Sequence, residues 1–235
     1  MIYAIFSDIH GNQYTLSSML NSIKNYNIKG YIFLGDICGY YYGQNECIEI
    51  LEKLQNAYFL RGNHDQYWLD VLSGNRTIKE LAMNYGNTYY KKLKDKNVEF
   101  LKNTLLKIET EISGKKILGF HGGLNSYLEE RIYPDMVEDY YKEHYYKLCE
   151  YDYIFTGHTH YSFYKKMCER TIWINPGSLG QPRDGNGFRY CLVDFEDASF
   201  KMCSVKWDRM FMEKEVLLNN EPDKISRYLI NVLYR

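Results

Sequence analysis

Five short apolar runs limit the folds open to this chain, because each of them stops abruptly at glycine and ionisable residues. The runs cover residues 2–6, 31–34, 57–60, 116–120 and 153–155, and they are rich in β-branched and aromatic side chains. Continuous apolar runs of this length are typical of strands that are buried on both faces. α/β proteins tend to place their binding and catalytic groups where such strands end. The sequence therefore predicts an α/β fold with its chemistry at the strand ends.

The segment between the first two runs predicts an amphipathic helix. Leu16, Met19 and Ile23 recur at helical spacing within residues 13–27, and Gly30 is a plausible stop before the second strand. A strand, a helix and a strand within about 35 residues form a βαβ unit with a right-handed crossover. The first two strands should therefore be parallel neighbours. A second helix around residue 50 should lead to the third strand.

The rest of the chain mixes helical and strand-like segments. Residues 66–105 look like broken helices, residues 113–115 join two strands as a hairpin, and residues 135–149 form a polar helix. Further β runs are expected at residues 161–168, 171–174, 188–195 and 199–206. We predict a single domain over residues 1–235, with helical additions at 66–105 and 122–150 and a C-terminal helix at 222–234.

Composition argues against several classes of protein. The formal net charge is -1 with both signs interspersed, so bulk electrostatics favour neither nucleic-acid nor membrane binding. Residues 1–8 lack the features of a signal peptide, and no window approaches the roughly 20 apolar residues of a membrane span. The six cysteines are scattered without a CxxC pair, which favours reduced thiols. We therefore expect a cytoplasmic protein.

The polar residues at the strand ends repeat a pattern of carboxylate, imidazole and amide. In extended backbone, residues two apart point the same way, so Asp8 and His10 can face one centre, as can His158 and His160. Mixed N and O ligands suit Zn, Mn, Fe or Ni, and seven such groups are too many for one small ion. Two ions with one bridging carboxylate are therefore predicted. The candidate ligands are Asp8, His10, Asp36, Asn63, His121, His158 and His160.

Each of these motifs is weak evidence when it is taken alone. An aspartate at a strand end is usually a helix cap or a turn residue, and a histidine in a glycine-rich turn is usually a satisfied polar group. Five of the six histidines, however, lie at these strand ends, and only His144 does not. The joint pattern points to one functional site rather than to separate turns.

The chain resembles the calcineurin-like metallophosphoesterase superfamily over residues 1 to about 195. The resemblance lies in the order of the motifs Asp8-x-His10, Gly35-Asp36, Gly62-Asn63-His64-Asp65, His121-Gly122 and Gly157-His158-Thr159-His160. The Asn-Pro-Gly-Ser sequence at residues 175–178 is similar to the compact bacterial and archaeal phosphodiesterase branch. This resemblance implies a four-layer β-sandwich of two mixed sheets flanked by helices.

The resemblance also implies the function of individual residues. Asp8, His10 and His160 would hold one metal, Asn63, His121 and His158 the other, and Asp36 would bridge the two. Manganese is the first expectation, with Fe, Zn or Ni as alternatives. A metal-bridging hydroxide would attack the phosphorus of a small phosphodiester or phosphomonoester in line. Asp36 and His64 would be catalytic. His64 is not needed as a ligand, so it is free to stabilise or protonate the leaving group.

Substrate contacts are expected from Asn63 and from two arginines. Arg183 lies in a glycine- and proline-rich loop that the resemblance places near the metals, where a guanidinium would bind phosphate bidentately. Arg61 could do the same or could form an ion pair beside the site. Asp65 could orient His64 or cap the following helix. These alternatives stay open from the sequence.

Other functions were weighed against a phosphoesterase. Phosphoprotein phosphatases share the Arg-Gly-Asn-His sequence at residues 61–64, but the segment after Asp36 lacks their arginine. A non-catalytic metal-binding scaffold and a dinuclear redox site are the further alternatives. We also predict that residues 66–105 and 122–150 line the rim of the site and select the substrate, with Tyr40, Tyr41 and Tyr42 as stacking partners.

Overall fold

The structure is a computed structural model that describes residues 1–234. Its strands are β1 (Ile2–Phe6), β2 (Ile28–Phe33), β3 (Ala57–Phe59), β4 (Lys107–Ile112), β5 (Lys115–Phe120), β6 (Tyr153–Phe155), β7 (Phe163–Lys166), β8 (Ile172–Asn175), β9 (Arg189–Asp194) and β10 (Ser199–Ser204). Its α-helices are α1 (Gln13–Ser22), α2 (Gln44–Leu51), α3 (Asn63–Leu72), α4 (Ile78–Tyr85), α5 (Asp95–Lys102), α6 (Val137–Glu143), α7 (Tyr145–Leu148), α8 (Met210–Leu218) and α9 (Asp223–Leu233). None of the described helices is long and apolar enough to cross a membrane.

The strands form two mixed sheets of five strands each. The first sheet has the order β10-β9-β1-β2-β3, and the second has the order β4-β5-β6-β8-β7. β1, β2 and β3 run parallel, and β9 pairs antiparallel with both β1 and β10. In the second sheet β5, β6 and β8 are parallel, and β4 and β7 are antiparallel edge strands. The predicted fold of two mixed sheets flanked by helices is confirmed.

Successive side chains of β1 point to opposite faces of the first sheet and so pack against the layers on both sides of it. Ile5 belongs to the apolar cluster between the two sheets, together with Ile32 and Phe155. Its neighbour Phe6 points the other way, into the cluster under the helices, where its ring meets Phe33 at 5.4 Å. Both faces of the sheet are buried because side chains on a strand alternate between faces. A third cluster covers the outer face of the second sheet with α6 and α7.

Several element boundaries differ from the prediction. The first helix ends at Ser22 rather than at residue 27, and β2 begins at Ile28, so Gly30 lies inside the strand. A Cβ at this position would collide with the ring of Tyr3, which explains the glycine without a chain stop. β3 is a half-buried edge strand, not a strand buried on both faces.

The helical additions agree only in part with their predicted positions. Residues 66–105 hold most of α3, the whole of α4 and α5, and a 3-10 turn at Asn87–Tyr90. Residues 122–150 are largely loop, and the predicted helix at 135–149 is two short helices that meet at His144. Helix α8 was not predicted. That the whole chain is one domain stays a prediction, and Arg235 lies outside the described residues.

Candidate metal centre

The predicted site residues meet at the ends of parallel strands from both sheets. Asp8 and His10 follow β1, Asp36 follows β2, and Asn63 and His64 form the first turn of α3 after β3. His121 follows β5, and the pair His158 and His160 follows β6. None of these eight residues exposes more than 5% of its surface. The structure therefore gathers into one buried centre the groups that the sequence spreads over more than 150 positions.

Two overlapping groups of possible ligand atoms occur at this centre. Asp8, His10, Asp36 and His160 offer atoms that lie within 4.8 Å of one another. Asp36, His121 and His158 form the second group by the same measure, and Oδ1 of Asn63 is 3.2 Å from Nε2 of His121. Asp36 is common to both groups. This is the same division that the family resemblance implied.

The backbone at these residues is not extended, contrary to the reasoning from the sequence. Asp8, His10, Asp36, His158 and His160 have φ values of +54, +50, +63, +65 and +63°. Non-glycine residues seldom adopt this left-handed conformation, and such residues cluster at functional sites. The paired residues do face one centre, but the reason is a sequence of left-handed turns rather than the alternation of a strand.

Hydrogen bonds at the far nitrogen fix the tautomer of three imidazoles. His10, His121 and His160 each place Nδ1 against a backbone carbonyl oxygen. The partners are Cys38, Leu34 and Gln181, at 2.9, 2.7 and 2.6 Å respectively. A carbonyl oxygen can only accept, so each Nδ1 carries a proton, and in its neutral form each ring presents the Nε2 lone pair to the centre.

Several polar atoms at the centre lack partners, which tests whether the residues fit metal ions. Oδ1 of Asp8, Oδ2 of Asp36 and Nδ1 of His158 are buried without a hydrogen bond among the described residues. The Nε2 atoms of His10 and His160 lie only 3.1 Å apart, so two lone pairs face each other. Unpaired buried acceptors are costly, and cations relieve that cost. The donor set therefore fits divalent metal ions.

Electrostatics at the centre agree with a site for positive charge. Burial acts to lower the pKa of His121, but the carboxylates of Asp36 and Asp8 outweigh it and raise that pKa to about 9. Burial acts to raise the pKa of Asp8, yet the surrounding imidazoles, His160 foremost, hold it below its ordinary value. Burial lowers the pKa of His158 to about 2. The carboxylates thus attract a cation, while most of the imidazoles stay neutral, as ligands must.

Asp65 organises the loop that carries Asp36. Its carboxylate accepts hydrogen bonds from the backbone N–H groups of Asp36, Ile37, Cys38 and Gly62, at distances from 2.9 to 3.0 Å. The bond from the N–H of Gly62, the N-cap residue of α3, pairs one backbone donor at the start of that helix. Of the two functions left open for Asp65, capping is the one that the geometry shows.

His64 is oriented by a tyrosine that the sequence did not indicate. Its Nδ1 is 2.9 Å from the hydroxyl of Tyr89, and its backbone N–H donates to Oδ1 of Asp36 at 2.8 Å. Burial, followed by the charges of neighbouring imidazoles, lowers the pKa of His64 well below its ordinary value. Tyr89 lies in the 3-10 turn within residues 66–105, so this segment contacts the site from behind His64. No motif in the sequence marks that tyrosine.

The two predicted arginines have different surroundings. Arg183 lines a small cavity of about 40 Å³ at the centre, together with Asp36 and His64. The guanidinium of Arg61 is turned away and donates to the side chain of Gln66 and to carbonyl oxygens at residues 101, 102 and 104. These donors connect α3 with the end of α5, so the geometry gives no support to the prediction that Arg61 binds substrate.

Asn63 has its amide held in one orientation. Nδ2 donates to the hydroxyl of Tyr67 at 3.1 Å, and that hydroxyl donates to Glu129 at 2.9 Å. The arrangement directs Oδ1 of Asn63 toward His121, as a ligand requires. Nδ2 carries two hydrogens and Tyr67 accepts one of them, so a contact between Asn63 and substrate stays a prediction.

One further arginine reaches the site and was missed from the sequence. Nε of Arg131 is 3.3 Å from Nε2 of His158, and its exposed side chain lines the same cavity as Arg183. It comes from the loop within residues 122–150, where no pattern distinguishes it from a solvated charge. Of the three tyrosines proposed for stacking, only Tyr40 lines the cavity. Tyr41 and Tyr42 direct their hydroxyls to Leu229 and Glu221 instead.

Comparison with known proteins identifies relatives of the whole chain. An uncharacterised protein of Methanocaldococcus jannaschii is 34% identical over an alignment of 250 positions, which covers 96% of each chain. A hypothetical protein of Pyrococcus horikoshii has a similar structure, with a TM-score of 0.83 at 24% identity over 97% of each chain.

A metallophosphoesterase from Sphaerobacter thermophilus has a TM-score of 0.73 at 21% identity, over 99% of this chain and 98% of its own. The model of the calcineurin-like phosphoesterase superfamily domain matches residues 1–198, which include all eight residues of the centre. The chain therefore belongs to the calcineurin-like phosphoesterase superfamily.

Proposed function

We propose that this protein is a metal-dependent phosphoric ester hydrolase. The observation that carries the proposal is the pair of buried ligand groups sharing Asp36, whose Oδ2 has no hydrogen-bond partner within residues 1–234. One divalent ion would be held by Asp8, His10 and His160. The second would be held by Asn63, His121 and His158, and Asp36 would bind both ions. Such ions supply positive charge to a phosphoryl group and lower the pKa of bound water. Manganese is our first choice, and Fe, Zn or Ni are the alternatives. Mixed imidazole and carboxylate ligands are compatible with each of these metals.

Two arginines would bind the phosphoryl oxygens. Arg183 and Arg131 line the cavity at the centre, and no ion pair joins either guanidinium to a carboxylate among the described residues. Guanidinium groups bind phosphate with two parallel hydrogen bonds. Negative charge builds on the phosphoryl oxygens during transfer, and two cationic groups in contact with them stabilise that charge.

His64 would protonate the leaving oxygen. Its Nδ1 is engaged by Tyr89, which leaves Nε2 for the substrate. The pKa of His64 is low in the absence of substrate, because of burial and of the imidazoles nearby. A bound phosphoryl group places negative charge beside the ring, and a neighbouring anion raises the pKa of an imidazole. The substrate itself would thereby make His64 a better proton donor.

The substrate we propose is a small phosphodiester or phosphomonoester, and the location we propose is cytoplasmic. The segment after Asp36 lacks the arginine expected of phosphoprotein phosphatases, and the cavity at the centre has room for little more than a phosphoryl group. No specific observation favours a phosphoprotein substrate.

The experiment compares wild type with three variants on bis(p-nitrophenyl) phosphate and p-nitrophenyl phosphate. Asp36→Asn should lose metal content and turnover together. His64→Ala should keep its metal but lose about 10²–10⁴ in turnover, which is the usual contribution of general acid catalysis. Asp139→Asn, at a side chain that is 88% exposed, serves as the control and should match wild type.

Metal content is measured by elemental analysis after dialysis and again after loading with Mn, Fe, Zn or Ni. Absence of turnover in every metal-loaded form of the wild type would refute the proposed function. Full activity in Asp36→Asn would refute the assignment of the shared ligand.

A further inference from the structure

A second cavity lies beside the metal centre. It has a volume of about 300 Å³ and is enclosed by α4, by α9 and by the loop that follows β2. Two of the tyrosines in its wall, Tyr40 and Tyr85, also line the smaller cavity at the metal centre. The two spaces therefore meet at these two rings, and a molecule whose phosphoryl group occupies the first can extend into the second.

The wall of this cavity is aromatic and carries positive charge. Tyr40 lies 5.7 Å from Tyr85 at an interplanar angle of 81° and 6.2 Å from Tyr228 at 45°. Met83 and Ile225 add apolar surface, and Lys224 adds an ammonium group. No residue in the described wall carries a carboxylate. Aromatic rings and a thioether bind planar groups through ring contacts, and the lysine favours a ligand that is anionic.

The ring at the junction is held rigidly. Tyr40 has a φ of +61°, an uncommon conformation for a bulky residue, and its side chain is buried. It contacts the rings of His10 at 4.8 Å and His64 at 5.0 Å. A strained residue persists only where its surroundings impose the conformation. The junction is therefore formed before any ligand binds, which reduces the entropy that binding must lose.

The opposite wall comes from a part of the chain beyond the matched family domain. Helix α9 begins at Asp223, whereas the family match ends at residue 198. Its Tyr228 donates to Oε1 of Gln181 at 2.9 Å, two residues before Arg183 in the same loop. The C-terminal helix thus holds the loop of a phosphate-binding arginine and at the same time closes the second cavity.

We propose that the second cavity binds the organic group of the phosphoester substrate, and that this group is planar and aromatic, as in a nucleoside. The assignment rests on the proposed function, because the phosphoryl group must occupy the neighbouring centre. It explains why three tyrosines from separate segments converge at one place. It also explains the absence of carboxylates from the wall, since they would repel an anionic nucleoside phosphate.

The test uses two diesters that differ only in the organic group. The p-nitrophenyl ester of thymidine 5′-phosphate and p-nitrophenyl methyl phosphate have the same leaving group and the same chromophore. We expect kcat/KM of wild type to be at least about tenfold higher for the thymidine ester, because stacking of a base on aromatic side chains contributes that much or more. Equal values for the two esters would overturn the proposal.

Met83→Glu introduces a carboxylate into the wall at a side chain that is 63% exposed, so the fold should tolerate it. The ratio of the two kcat/KM values should fall at least about threefold, because a hydrated carboxylate in the wall disfavours burial of the neutral aromatic base and leaves the methyl ester unaffected. The matched control is Met210→Glu, at a helical methionine that is 68% exposed and lines neither cavity. The control should keep the wild-type ratio, and an unchanged ratio in Met83→Glu would overturn the proposal.

A binding measurement separates this proposal from the proposed function. If neither ester is hydrolysed by the metal-loaded wild type, the proposed function fails. Calorimetric titration with thymidine 5′-monophosphate and with methyl phosphate then tests separately whether the second cavity binds a nucleoside. Binding of the nucleotide at least about tenfold tighter than methyl phosphate, with loss of that preference in Met83→Glu, supports the cavity assignment. Equal affinities overturn it.

Discussion

Replacing Asp65 by asparagine should destabilise the protein strongly without changing its shape or size at that position. One carboxylate oxygen of Asp65 accepts from the N–H groups of Ile37 and Cys38, and the other accepts from Asp36 and Gly62. An asparagine keeps one oxygen and can keep two of these bonds. Its amide group would then face the two remaining N–H groups, donor against donor, in a fully buried position.

The magnitude follows from the number of groups left unpaired. Each buried N–H without an acceptor costs about 1–3 kcal/mol, so two of them cost roughly 2–6 kcal/mol. Single substitutions seldom exceed about 4–5 kcal/mol, because the structure relaxes. We therefore expect a loss of about 2–5 kcal/mol in the free energy of unfolding. Burial and the carboxylate of Asp36 raise the pKa of Asp65 to about 6, so measurements at pH 7.5 compare the ionised wild type with the amide.

The assay is urea unfolding followed by circular dichroism and by tryptophan fluorescence. With a slope of about 2 kcal/mol per molar urea, the midpoint should fall by about 1–2.5 M. The control Asp139→Asn changes the same group on an exposed helix face and should stay within about 0.5 kcal/mol of wild type. A midpoint for Asp65→Asn that equals that of the control would refute the argument that this carboxylate organises the Asp36 loop.

Two further predictions concern catalysis and pH. Tyr89→Phe removes the hydrogen bond to His64 but keeps the ring, so kcat should fall about two- to tenfold, as loss of one net hydrogen bond implies. KM and metal content should stay at wild-type values. The control is Tyr141→Phe, at a buried tyrosine whose hydroxyl forms its hydrogen bond outside the site. An unchanged kcat in Tyr89→Phe would contradict a positioning function. Burial acts to raise the pKa of Asp152, but hydrogen bonds from Arg170 and the backbone outweigh burial and lower that pKa. The ionised carboxylate therefore stabilises the fold above about pH 4, and this stabilisation is lost as the pH falls further. Urea midpoints of wild type and Asp152→Asn should therefore differ at pH 7 and approach each other as the pH falls below about 4. A difference that stays constant would exclude this carboxylate as the titrating group.

The sheet architecture was predictable because its signals are local. Apolar runs bounded by glycine and polar residues identify strands, and helical spacing within residues 13–27 identifies the first crossover. Helix α8 was missed because its apolar residues do not form one stripe. Met212 and Val216 are buried, whereas Phe211, Leu217 and Leu218 are exposed. Gly30 was misassigned as a helix stop because the need for glycine there comes from the ring of Tyr3 on the neighbouring strand, and no local sequence pattern reveals that contact.

The candidate ligands were predictable from their type and order, but their supporting residues were not. Ligand chemistry demands particular side chains, and these stand out wherever they follow an apolar run. Tyr89 and Arg131 carry no such mark, because many tyrosines and arginines serve equally well on a surface or in a core. Arg61 shows the opposite case, since its position next to a motif suggested substrate binding, which the direction of its side chain does not support. Side-chain direction depends on tertiary contacts, which spacing does not encode.

The left-handed backbone at five of the ligand residues limits how this centre can be transplanted. A designer who copied the Asp-x-His and His-x-His sequences onto ideal strand ends would place each pair on one face of a strand, without the left-handed turns that aim the side chains in this protein. The conformation costs roughly 1–2 kcal/mol per residue, so an isolated loop would not hold it. In this protein it is imposed by contacts such as the bond from the N–H of His10 to the carbonyl of Asp36. The transferable unit is therefore the set of interlocked loops, and the ligand sequence alone would not reproduce the site.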